Sequence, residues 1–191
     1  MTSLKEQLRR DILRRRDAIP PDKRAAKDFL IKERLLSLPE FVEAKTVLFY
    51  ASFRSEVDTI GMVNDSLKAG KRVGLPRVDK QRHLLLLFEI VKMSELSAGY
   101  IGIPEPPLRD EMAMEIEDID IIIVPGVAFD NSCNRIGYGA GYYDILLSKR
   151  KKKTPVIALA YEEQFVGAIP AEKHDIKVDV VVSDKRVVRI T

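Results

Sequence analysis

Cysteine is nearly absent: Cys133 is the only one among 191 residues, so no disulfide can form within the chain. A reducing compartment suits such a chain, and a cytoplasmic location is expected. Cys133 has no histidine beside it in sequence and reads as a small loop residue rather than a nucleophile. Histidine is almost as scarce. His83 and His174 stand far apart, outside any cluster with metal-ligand spacing, so neither a zinc site nor a Ser-His-Asp set is expected, and both read as surface residues. No apolar run reaches the roughly 20 residues that a membrane helix needs. The first residues lack the apolar core of a secretion signal, and their basic side chains alternate with Glu6 and Asp11, which argues against a transit peptide. Net charge is small as well. The balance of 32 basic against 29 acidic residues leaves +3, too mild to argue for nucleic acid. The cations are clustered, however, in Lys5, Arg9, Arg10, Arg14, Arg15 and Arg16, and again over residues 149–153. The second run follows a helix, where cations complement the dipole, and reads as a solvated face.

What is present reads as one folded unit. With 191 residues, 46% of them hydrophobic, the chain can bury a proper core, and no linker, repeat or low-complexity block divides it. A single domain over residues 1–191 is expected. Leu4, Leu8 and Ile12 recur at helical spacing behind Ser3, with Glu6 three residues on in a capping-box pattern. Pro20-Pro21 ends that helix. A second starts at Asp22, carries Phe29, Leu30, Leu35 and Leu36, and ends near Pro39. Residues 47–50 read as a buried strand. Asp58 caps a helix running to about Leu67, closed by Gly70. Further strands are expected at 72–75, followed by Pro76, and at 84–91, 119–124, 155–160 and 178–182. The last three are near-continuous apolar runs, as found inside parallel sheets. Strands alternating with helices predict an α/β fold with helices on both faces of the sheet.

The chemistry is densest in Arg135-Ile136-Gly137-Tyr138-Gly139-Ala140-Gly141-Tyr142-Tyr143-Asp144. Glycines let backbone N–H groups crowd around an anion at dihedrals other residues resist. A helix expected over 142–149 would turn its N-terminus toward the same place. A polyphosphate is the natural guest. The loop is not a Walker A sequence, which ends Gly-Lys-Ser/Thr. It is not the dinucleotide fingerprint G-x-G-x-x-G, since the spacing here is G-x-G-x-G. Kinase motifs are missing downstream. Arg135 adds a fixed cation, and Asp144 offers a carboxylate that could hold Mg²⁺ against the phosphates. Asp184, just past a strand end, is a second candidate metal ligand, though Asp-Lys after a strand is also a common turn. Lys5 and Arg9 are four residues apart and share a helical face. Glu56 precedes the Asp58 cap and has no capping role of its own.

This ten-residue string resembles the signature of the 5-formyltetrahydrofolate cyclo-ligase family, also called methenyltetrahydrofolate synthetases: Arg-hydrophobic-Gly-x-Gly-x-Gly-aromatic-Tyr-Asp. Every element is present from Arg135 through Asp144, and other family landmarks follow in order along nearly the whole chain. The resemblance implies a three-layer α/β/α domain with a mostly parallel mixed sheet. It implies ATP and Mg²⁺ as cofactors, and small molecules (5-formyltetrahydrofolate and MgATP) as partners. From charge and hydropathy no nucleic-acid or membrane partner is expected; a monomer is expected, with the oligomeric state not fixed by the sequence. Under it, Lys5, Arg9, Arg135, Gly137, Tyr138, Gly139, Ala140, Gly141, Tyr142 and Tyr143 serve the nucleotide. Asp144 and Asp184 hold magnesium. Tyr50, Glu56, Tyr100, Gly102, Ile103, Pro104 and Tyr143 face the folate, and Phe53 adds an apolar wall. Arg135, Tyr143 and Asp144 act in catalysis. Tryptophan, frequent near the folate loop of relatives, is absent here. The implied reaction closes 5-formyltetrahydrofolate to 5,10-methenyltetrahydrofolate through a phosphorylated formyl oxygen, releasing ADP and phosphate. A small-molecule kinase using the same cradle is the alternative, and would leave phosphate on a stable acceptor.

Overall fold

The computed structural model describes residues 3–170, 172 and 175–190. His174 lies outside them. Eight strands form one sheet: β1 Thr46–Leu48, β2 Arg72–Asp79, β3 Leu84–Ile90, β4 Ala113–Met114, β5 Ile121–Val124, β6 Val156–Ala160, β7 Val180–Ser183 and β8 Val187–Arg189. Their spatial order is β8-β7-β6-β5-β1-β2-β3-β4. The five from β7 to β2 are parallel, and the outer strands β8, β3 and β4 each pair antiparallel with the neighbour inside them. From β1 the chain moves outward to β2, whereas from β5 it moves the opposite way to β6 and β7. The switch point therefore lies between β1 and β5, and loops leaving those two strands open a crevice where ligands bind in such sheets.

Five helices surround the sheet: α1 Leu4–Asp17, α2 Pro21–Ser37, α3 Pro39–Glu43, α4 Ile60–Lys68 and α5 Tyr142–Ser148. Strand alternation divides the core into two layers. Val47, Ile121, Ile123, Ile157, Leu159 and Val182 pack against Ile31 and Leu35 of α2, Phe41 of α3, and Met62 and Val63 of α4. Leu48, Ile122, Val124, Ala158 and Val181 pack on the other side against Leu146 and Leu147 of α5. Ile12 of α1 joins a smaller cluster with Val127, Ala128, Ile136 and Ile169, which seats α1 over the loop after β5. The α/β expectation, with helices on both faces and a mostly parallel mixed sheet, agrees with this architecture.

Local expectations held unevenly. The Ser3–Glu6 capping box forms at the start of α1. Phe29 and Leu30 of α2 are exposed, and α2 meets the sheet through Ile31 and Leu35. The N-cap of α4 is Thr59, not Asp58, although the Asp58 carboxylate still accepts from the Ile60 amide at 3.0 Å. Strand β2 does not stop at Pro76 but runs to Asp79. Gly74 accepts from the Phe49 amide on the β1 side, so by alternation the Pro76 nitrogen also points there, beyond the last β1 pair, and no ladder bond is lost. In the 149–153 run, Lys151 donates to the Glu117 carbonyl and Arg150 to the Leu147 carbonyl at 3.3 Å, so part of it caps the end of α5.

Candidate active site

The segment leaving β1 turns back on itself through side-chain bonds. Thr59 Oγ1 donates to the Tyr50 carbonyl at 2.6 Å, and the Tyr50 hydroxyl donates to the Val57 carbonyl at 3.1 Å. The Tyr161 hydroxyl donates to Asp28 at 2.6 Å and lies 3.3 Å from the Glu56 carbonyl. These bonds present Glu56, whose Oε2 accepts the Phe53 amide at 2.9 Å. Its Oε1 accepts the Tyr138 hydroxyl at 2.6 Å. Burial pushes the Glu56 carboxyl above the usual range, against the opposing pull of the Tyr138 and Phe53 hydrogen bonds and the Arg16 charge.

The segment leaving β5 is built around two buried polar side chains. Gln164 donates from Nε2 to the Gly126 and Val127 carbonyls, each at 3.0 Å. Asp130 accepts from the Ser132, Asn134 and Ile169 amides at 2.9, 3.0 and 3.0 Å. Between them a short ribbon, Ala128–Phe129 against Arg135–Ile136, delivers Arg135. Its side chain is only 3% exposed and pairs with Asp144 Oδ1 at 2.8 Å. The Arg135 Nε is buried and has no hydrogen-bond partner among the described residues. The second Asp144 oxygen, Oδ2, accepts no hydrogen bond among the described residues. A metal ion meeting phosphate oxygens at this place has that one free carboxylate oxygen to use, which fits the habit of Mg²⁺. Among the described residues no three His, Cys, Asp or Glu side chains converge into a larger metal-binding group.

The glycine loop follows. Gly139 and Gly141 hold φ of 100° and 73°, which a side chain would strain. Arg9 Nε donates to the Gly137 carbonyl at 2.8 Å, and His83 Nε2 lies 2.8 Å from the Ala140 carbonyl. His83 is exposed yet stacks on Tyr142, with ring centroids 4.5 Å apart, and Tyr100 meets the same ring edge-on at 6.4 Å. Helix α5 runs Tyr142–Ser148 with Gly141 as its N-cap, close to the expected span, and turns its N-terminus toward the loop. Burial raises the Tyr143 hydroxyl well above its ordinary value, and the hydroxyl makes no hydrogen bond among the described residues.

The third wall is the segment after Ser97. Ile101 and Gly102 have φ of 49° and 88°, and the buried Glu105 carboxylate accepts the Tyr100 and Val78 amides, each at 3.2 Å. A Cβ at Gly99 would fall within the Glu105 carboxylate, so only glycine admits this arrangement.

These walls enclose one cavity of about 920 Å³. All the expected site residues line it except two. Gly102 does not; its place is behind the wall, near the Phe53 ring. Asp184 does not either: its carboxylate is taken by Lys27 at 2.7 Å and the Glu162 amide at 2.8 Å, which removes it from the metal-ligand set. Lys5 lines the cavity but is paired with Asp175 at 2.6 Å and Glu172 at 3.0 Å. Sequence reasoning missed Arg16, which donates to the Tyr138 hydroxyl at 2.9 Å and to Ser55 at 3.0 Å. It lies seven residues after Arg9, hence on the same helical face, and that spacing was the available signal.

The 5-formyltetrahydrofolate cyclo-ligase family model matches residues 1–184. The chain belongs to the 5-formyltetrahydrofolate cyclo-ligase family. Among curated members, the Escherichia coli K12 5-formyltetrahydrofolate cyclo-ligase is 33% identical, covering 92% of this chain and 98% of the relative. The mouse cyclo-ligase is 29% identical, covering 95% and 94%. Among solved structures, the Aquifex aeolicus 5,10-methenyltetrahydrofolate synthetase superposes with a TM-score of 0.87 at 35% identity, covering 98% of this chain and 93% of that one. The Mycoplasma pneumoniae synthetase gives 0.78 at 25% identity, covering 95% and 99%. The cyclo-ligase fold thus extends over nearly the whole of this chain. No helix among the described residues is long and apolar enough to cross a membrane.

Proposed function

We propose that the chain is an ATP- and Mg²⁺-dependent 5-formyltetrahydrofolate cyclo-ligase that forms 5,10-methenyltetrahydrofolate, ADP and phosphate as a cytoplasmic monomer. The observation that carries this reading is one cavity with a glycine loop flanked by arginines on one wall and a half-buried carboxylate on the other, a loop we read as a phosphate cradle. The cradle is the glycine loop with Arg135 and Arg9; the carboxylate is Glu56.

The chemistry follows from the substrate. A formamide oxygen is a poor leaving group. Attack of that oxygen on the γ-phosphorus breaks the bond to ADP and turns the oxygen into phosphate. The N10 lone pair then adds to the activated carbon, N10 loses its proton to water, the carbon–oxygen bond breaks and phosphate departs. Little acid or base is needed from the protein, so its work is alignment and charge stabilisation. Glu56 accepts hydrogen bonds from the N–H edge of the pterin while Phe53, Tyr100, Ile103 and Pro104 exclude water. Arg9, Lys5 and Arg135 balance the triphosphate, with Lys5 leaving Asp175 and Glu172 for it. Asp144 supplies the carboxylate for Mg²⁺, which when bound neutralises charge on the transferring group. The Tyr143 hydroxyl, without a hydrogen-bond partner among the described residues and under the Arg135 charge, donates a hydrogen bond to bound substrate.

Mixing the protein with 5-formyltetrahydrofolate and MgATP is expected to produce methenyl absorbance together with stoichiometric free phosphate. Omitting ATP or magnesium should abolish both. A stable phosphorylated acceptor without methenyl formation would refute the reading in favour of a kinase.

A further inference from the structure

The cradle and the carboxylate wall are joined by one side chain. Tyr138 stands between Gly137 and Gly139 in the glycine loop. Its hydroxyl donates to Glu56 Oε1 at 2.6 Å and accepts from Arg16 at 2.9 Å. Arg16 is buried, spreads over the Tyr138 ring with 5.8 Å from Cζ to the centroid, and donates through Nε to Ser55, which in turn donates to Asp17. Helix α1, the β1 exit and the glycine loop therefore meet at a single hydroxyl. The loop's other anchors, Arg9 on the Gly137 carbonyl and His83 on the Ala140 carbonyl, do not touch the Glu56 side. Packing does not account for Tyr138, since the residue is 48% exposed at the cavity rim.

We propose that Tyr138 is a positioning residue that couples the two subsites, so that bound folate tightens nucleotide binding and bound nucleotide tightens folate binding by the same factor. The inference rests on the cyclo-ligase reading above. A flexible pair of glycines must be ordered when a triphosphate binds, and that ordering costs affinity. Pterin N–H groups on Glu56 hold it as a carboxylate, the form to which the Tyr138 hydroxyl donates. A bound pterin thereby strengthens the 2.6 Å Tyr138–Glu56 bond, and with it the ordering of the backbone from Gly137 to Gly139. Linkage makes the effect reciprocal.

The test is calorimetric titration of magnesium β,γ-imido-ATP, which does not transfer its terminal phosphoryl group, with and without saturating 5-formyltetrahydrofolate. In the wild-type chain the ratio of the two affinities is expected at about fivefold or more, within the usual range of coupled sites, and in Tyr138→Phe it is expected to fall to within about twofold of unity. Melting temperatures of the two proteins check that both are folded. A wild-type ratio of one overturns the coupling. So does a Tyr138→Phe protein that keeps the wild-type ratio, including one whose separate affinities both drop, because that pattern marks a merely structural role. If wild type fails to bind either ligand alone, the cyclo-ligase reading itself falls, and the coupling with it.

Discussion

Arg135 and Asp144 are nine residues apart in sequence and share one bond of 2.8 Å, so neither acts alone. Arg135 is nearly sealed from solvent while one Asp144 oxygen accepts no hydrogen bond among the described residues, and the proposed function divides their labour accordingly: one a fixed cation, the other a ligand for Mg²⁺. Asp144→Asn keeps the shape and removes the charge, and is expected to lower kcat/KM by about 10²–10³, as loss of one transition-state contact does elsewhere. Stopped assays with magnesium varied would show it, and near-native turnover would contradict it. Glu56 makes a different prediction. Burial raises its pKa, so the folded chain holds this proton more tightly than the unfolded chain. Stability contributed by the proton is full at low pH and is lost as pH rises from the unfolded to the folded value. Glu56→Gln is therefore expected to melt at a higher temperature than wild type at neutral pH, with the gap closing below pH ~4, while folate binding is lost. A gap independent of pH would contradict the burial argument.

Elements were legible in the sequence where a local rule decides them. The helical spacing of Leu4, Leu8 and Ile12 and the Ser3–Glu6 box made α1 legible, although Leu4 is exposed and Ile12 is the one of the three that is buried. The glycine loop was legible for the same reason, since positive φ at Gly139 and Gly141 is a local demand. Partners arriving from afar were not legible. Asp184 sits at a strand end, as expected of a site residue, but Lys27 reaches it from α2 and takes it away from the cavity. His83 looked like surface and is exposed, yet the β2–β3 turn lays it on Tyr142. Which cation of the run at residues 14–16 turns inward depends on the angle at which α1 crosses Val127 and Ile136. The segment after Ser97 carries its own test. Gly99→Ala forces the Glu105 carboxylate off the Tyr100 and Val78 amides. Steady-state assays are expected to show a raised KM for 5-formyltetrahydrofolate with the KM for ATP little changed; equal change in both would contradict a folate-side wall.

At the scale of the whole molecule, the strand order explains why the site exists where it does. The chain leaves β1 and β5 in opposite directions, and the gap between their exits is the cavity. The central strands β1, β5, β6 and β7 beneath are buried throughout and should behave as scaffold. Ile123→Ala, deep in β5 with no exposed surface, is expected to cost about 2–5 kcal/mol in denaturant unfolding, with the substrate KM values unchanged. A large KM shift without loss of stability would mean the scaffold and the site are not separable. The central claim is that the formyl oxygen takes the phosphoryl group in this cavity. Turnover of 5-formyltetrahydrofolate carrying ¹⁸O in the formyl group tests it most directly. The account predicts that the label appears in the released inorganic phosphate. Label found in water, with unlabelled phosphate, would contradict it.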